Sequence, residues 1–169
     1  MFKHVPWSDW PFYTLNKAFA VTALVLLVVA AARRRLNPDQ SIAPVMEIAA
    51  SFILIHIIVS LTLFTPAYYG TLFTAGRLTV FAGTSMMVGA IATAMMVAGG
   101  RKRGDQRSNG AVPALAVIAF ASGLHAGMLG VAGWFTPAKW PGMMPPITLI
   151  SFLIGLTGVV IALMPKRSE

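Results

Sequence analysis

Ala43-Pro-Val-Met-Glu-Ile-Ala-Ala-Ser-Phe-Ile-Leu-Ile-His-Ile-Ile-Val-Ser-Leu-Thr-Leu-Phe64 carries one charged side chain, Glu47, and one histidine, His56, in a run that is otherwise almost wholly apolar. A helix that crosses the hydrocarbon of a bilayer needs about 20 such residues. The run is too long and too uniformly apolar for a barrel strand, which alternates with period 2. Four more stretches of this kind flank it: Tyr13–Ala32, Leu78–Gly99, Ala111–Phe135 and Ile147–Met164. The expectation is an all-α fold, a polytopic membrane helical bundle with five transmembrane helices. Residues 1–12 are expected to lie as an aromatic segment along one interface, 13–164 to form the transmembrane domain, and 165–169 to be a short tail.

Composition agrees. Of 169 residues, 57% are hydrophobic and 11% charged, where a soluble domain has about a quarter charged. The mean hydropathy is +0.75. These values exclude an ordinary soluble enzyme, a disordered chain and a nucleic-acid-binding module. The net charge of +8 reflects scarce acids and clustered bases, and no nucleic-acid partner is expected. With 0 cysteines, disulfides, iron–sulfur clusters, thiolate metal sites and covalently attached haem are all excluded. Val29-Ala-Ala-Ala32 resembles a signal-peptidase site, yet Asp9 and the aromatics precede it and cleavage would export Arg33-Arg-Arg35, so the first span is expected to be retained.

The bases set an orientation. One side of the bundle holds Lys3, Lys17, Arg77 and Lys139; the other holds Arg33, Arg34, Arg35, Arg101, Lys102, Arg103, Arg107, Lys166 and Arg167. The N-terminus is therefore expected outside and the C-terminus in the cytoplasm of a bacterial-type inner (plasma) membrane. Every tryptophan (Trp7, Trp10, Trp134, Trp140) and every tyrosine (Tyr13, Tyr68, Tyr69) falls at the outer end. Belts normally form at both faces, so this one-sidedness reads either as anchoring or as a face shaped for an outer protein subunit.

His56 and His125 lie inside the second and fourth spans, and an ionisable group at that depth marks a site by default. The two spans run in the same direction. His56 follows Pro44 by twelve residues and His125 follows Pro113 by twelve, so both imidazoles are about 18 Å from the inner helix ends. Two neutral imidazoles at one depth suit the axial positions of a b-type haem. Gly123, Gly127 and Gly130 around His125 would permit close approach of a ring or of another helix. Ser60, one turn beyond His56, could orient that ring. Arg77, Lys139 and Lys17 are the outer-side bases available to haem propionates, although each could equally be a snorkelling anchor. A zinc or copper ion would be under-coordinated by two histidines alone. Glu47 reads as an acid at a helix start, with a proton or quinone role as the sharper option; Met86, Met87, Met95, Met96 and Met128 read as packing.

Pro11-Phe-Tyr-Thr-Leu-Asn-Lys-Ala18, leading into an apolar helix, and Pro66-Ala-Tyr-Tyr69, just beyond a histidine-bearing helix, resemble the ferric reductase-like transmembrane domain family. In that family the haem histidines sit on two helices separated by one other. The resemblance implies transmembrane electron transfer, with exchange between a membrane quinone and an outer-side redox partner. The family commonly has six helices and two histidines on each ligand helix. This chain has one histidine on each, so one haem is the most it could hold.

Two functions are therefore expected to compete: a haem-b electron-transfer subunit, or a cofactor-free accessory subunit that packs in a larger membrane complex. A transporter is disfavoured, because no internal repeat or broken helix stands out.

Overall fold

The computed structural model describes residues 10–66, 68–101 and 111–165. The expected interfacial segment up to Asp9, the bases Lys102, Arg103, Arg107, Lys166 and Arg167, and the tail beyond Pro165 lie outside the described residues. The chain is helical, with α1 (Trp10–Leu36), α2 (Ala43–Thr62), α3 (Val80–Arg101), α4 (Ala111–Met128), a one-turn α5 (Val131–Trp134) and α6 (Ile147–Leu163). Helices α1 to α4 are long and apolar enough to cross a membrane; α6, also apolar, is shorter at 17 residues. The fold is thus an all-α bundle of membrane type.

Prolines mark the helix starts. Pro11, Pro44 and Pro113 fall in the first turns of α1, α2 and α4, and Pro146 immediately precedes α6. At these positions the missing N–H costs no intrahelical bond and the fixed φ favours helix entry. Arg33, Arg34 and Arg35 occupy the last turn of α1, where positive charge complements the helix C-terminus. Between α2 and α3, Phe73–Thr74 pairs with Arg77–Leu78 in a two-residue hairpin. Its turn residues Ala75 and Gly76 both have positive φ, of 49° and 73°, which is the backbone a tight hairpin requires.

Packing centres on α1, α4 and α6. The closest helix pair is α4 with α6; α2 packs on α1, α3 packs on α4, and α1 also meets α4 and α6. Leu27, Ala30, Ala31, Ala49 and Ala119 are fully buried in the core, so small side chains let the backbones approach. Gly123 and Gly155 form the crossing point. A Cβ on Gly123 would sit 2.9 Å from the Ser151 carbonyl, and one on Gly155 would sit 2.7 Å from the Ala119 carbonyl.

The fourth apolar stretch does not continue to Phe135 as one helix. Helix α4 stops at Met128, and Gly130 opens the short α5. Gly130 lies against Thr148 so closely that no side chain would fit there. Trp134 then folds back over Gly127 and donates its indole N–H to Thr148 at 3.1 Å. Likewise the third stretch begins its helix at Val80 rather than Leu78, because Leu78 belongs to the hairpin.

Candidate functional site

His56 on α2 faces α1. Its Nδ1 lies 2.7 Å from Asn16 Oδ1 and 3.2 Å from the Asn16 backbone oxygen. The backbone oxygen can only accept, so Nδ1 carries the proton. Asn16 is 3% exposed and is itself held in place: its amide donates to Ser60 Oγ at 2.9 Å and to the Tyr69 hydroxyl at 3.2 Å. Ser60 therefore orients His56 chiefly through Asn16, its own hydroxyl lying 3.4 Å from Nδ1. Burial pushes the Tyr69 phenol above the ordinary tyrosine range, which keeps it neutral in this network.

His125 on α4 faces α3. Its Nδ1 donates to the Ser85 backbone carbonyl at 2.7 Å, and the fully buried Ser85 hydroxyl donates to the His125 carbonyl at 2.8 Å. The ring lies flat on Gly89, where a Cβ would come within 2.9 Å of Nδ1. A side chain at position 89 would therefore displace the imidazole.

In both rings the outward nitrogen, Nε2, is opposite the anchored one and accepts no hydrogen bond from any described residue. A proton fixed on Nδ1 leaves the lone pair on Nε2, the state in which histidine binds a metal. The two histidine-bearing helices do not form one of the close pairs of the bundle. Each histidine is half-buried.

The resemblance between the two halves goes further. Asn16 and His56 are 40 residues apart, and so are Ser85 and His125. Asn16 and Ser85, Pro44 and Pro113, and His56 and His125 are each 69 positions apart. Phe64-Thr-Pro-Ala67 after the first histidine helix returns as Phe135-Thr-Pro-Ala138 after the second. The chain repeats a helical hairpin, α1–α2 and then α3–α4. The sequence reading missed this because apolar residues substitute freely for one another in lipid-facing helices, which leaves only these few markers.

The remaining expected site residues fall elsewhere. Gly123 faces α6 at Ser151 and Gly155, and Gly127 lies against Trp134 of α5 and Phe152 of α6, so both serve packing. Arg77 is exposed on the hairpin. Glu47 lies exposed at the start of α2. The residues that position the imidazoles, Asn16, Ser85 and Gly89, were not singled out beforehand. Asn16 had a signal, as an amide inside an apolar span.

Among the described residues no three of His, Cys, Asp or Glu cluster as metal ligands. A bare divalent ion would find two nitrogens and nothing more. A haem iron brings four nitrogens of its own and needs only two axial donors, so the donor set fits that group. Compared with family models, with curated proteins and with solved structures, the chain matches none.

Proposed function

We propose that the chain is a membrane-embedded subunit that carries one b-type haem between His56 and His125 and passes electrons between the quinone pool and an extracytoplasmic redox partner. The observation that carries this reading is the matched state of the two rings: Nδ1 is anchored on each, by Asn16 and by Ser85, and Nε2 is left with its lone pair. The group would supply reversible one-electron chemistry at the iron. The protein's part is to hold both imidazoles as neutral donors, to fix their orientation through Asn16 and Ser85, and to surround them with apolar helices that keep water away. The resemblance of Pro11–Ala18 and Pro66–Tyr69 to ferric reductase-like domains supports the same reading. The basic cluster at Arg33–Arg35, opposite the aromatic end, supports an orientation with that aromatic end outside.

The test is the absorption spectrum of the full chain purified from haem-sufficient cells. A bis-imidazole Soret band that sharpens and shifts on reduction by a quinol is expected, and it should vanish in His56→Ala and in His125→Ala.

A second reading has its own support. Each histidine already bonds across its hairpin, His56 to α1 and His125 to α3, which is how a cofactor-free scaffold would use them. Under that reading His56→Gln and His125→Gln together leave assembly into a larger complex intact, and the purified chain is colourless.

A further inference from the structure

The two repeated hairpins have diverged at the aromatic end of the bundle, and the divergence has one sign. The first unit carries Tyr13, Lys17 and Ser60; the positions 69 residues on are Ala82, Met86 and Leu129. Lys17 stands out among the described basic residues. Arg33, Arg34 and Arg35 end α1, Arg77 is on the hairpin, Arg101 closes α3 and Lys139 lies in a short 3-10 turn. Lys17 alone is placed well inside an apolar helix, one position along α1 from Asn16, which holds His56.

Lys17 is half-buried, its amine donates to the Tyr13 hydroxyl, and its Nζ lies 3.9 Å from the centre of the Tyr13 ring. No described carboxylate pairs with it. A cation among apolar helices is costly unless an anion joins it. Tyr13 precedes Lys17 by one turn, about 6 Å of rise, so the amine reaches from the level of Asn16 toward the aromatic end. In the other direction the first ionisable group on α2 is Glu47, whose sign would repel a carboxylate.

We propose that Lys17, with the Tyr13 hydroxyl beside it, receives the carboxylate edge of the porphyrin held by His56 and His125, so that this edge faces the aromatic end. This rests on the haem reading above. Axial nitrogens fix the position of the iron but leave the ring free to turn about the axis joining them. A charge-assisted contact at one edge selects a single rotational setting. Such a contact is needed once, which is why the second hairpin can hold Met86 at the corresponding place.

The test uses the full chain in lipid nanodiscs, freed of haem and titrated with haemin or with haemin dimethyl ester, in which both carboxylates are capped. The bis-imidazole Soret band is the readout. Lys17→Met is expected to weaken haemin binding roughly tenfold and to leave the ester unchanged, with Lys17→Arg restoring haemin. Haemin binding as tight in Lys17→Met as in the parent overturns the inference. Equal weakening of both ligands marks a merely structural lysine and overturns it too. A parent chain that never develops the bis-imidazole band overturns the haem reading itself.

Discussion

Ser85 and His125 meet twice: the imidazole Nδ1 donates to the Ser85 carbonyl at 2.7 Å while the Ser85 hydroxyl donates to the His125 carbonyl at 2.8 Å. This reciprocal pair ties α3 to α4 and sets the ring by a backbone atom. Ser85→Ala therefore keeps the acceptor of Nδ1 and loses only the hydroxyl bond. Interhelical hydrogen bonds of this kind are worth about 1 kcal/mol or less. We expect Ser85→Ala to lower thermal stability slightly in detergent and to retain the haem spectrum.

Asn16 contrasts with Ser85, because the closer of its two acceptors for His56 is a side-chain atom, Oδ1 at 2.7 Å. Asn16→Leu removes that acceptor and the link to Ser60 and Tyr69. Loss of a partner that orients a ligating histidine typically costs ten- to a hundredfold in metal affinity, so haem affinity should fall by roughly tenfold or more. Haem titration of the two variants side by side checks the asymmetry.

Gly89 is the seat of the His125 ring, with room for no Cβ. Alanine is a better helix former than glycine, so Gly89→Ala should leave helix content by circular dichroism unchanged or raised. Its methyl would nonetheless press on Nδ1 and turn the imidazole. The expected result is a folded chain with weakened or lost axial ligation.

The membrane class and the helix positions were legible because lipid demands long apolar runs and prolines announce helix entries, as at Pro44 and Pro113. His56 and His125 drew attention for the same reason: ionisable groups are costly inside an apolar span. The break after Met128 was hidden, because Leu129 to Phe135 is as apolar as the helix before it and only the contact of Gly130 with Thr148 reveals the turn. The role of Gly89 was hidden too, since a glycine matters through what lies against it. Gly123 and Gly127 drew attention by their proximity in sequence to His125, yet successive positions on a helix point in different directions, and theirs is toward α6 and the Trp134 ring.

Gly123 and Gly155 offer a test of the packing independent of any cofactor. A Cβ on Gly123 meets backbone on α6, at 2.9 Å from the Ser151 carbonyl and 3.0 Å from Gly155 Cα. Backbone cannot rotate aside as a side chain can. Gly123→Val should force α4 and α6 apart and cost about 1–3 kcal/mol. A fall in the unfolding midpoint in detergent would register it, whereas Gly133→Val, at a position with open space around it, should change little.

Orientation can be read directly because the chain has no cysteine of its own. Thr74→Cys on the hairpin and Asn37→Cys beyond the arginines of α1 sit at opposite ends of the bundle. In intact cells a membrane-impermeant thiol reagent is expected to label Thr74→Cys and to spare Asn37→Cys until the membrane is opened.

Electron paramagnetic resonance of the purified chain, with iron counted per polypeptide, tests the proposed shared ligation most directly. The account predicts one low-spin iron per chain with two imidazole ligands, turning high-spin or lost when either His56 or His125 is replaced by alanine. Undiminished low-spin iron in the double replacement, or a parent chain without haem iron, would contradict it.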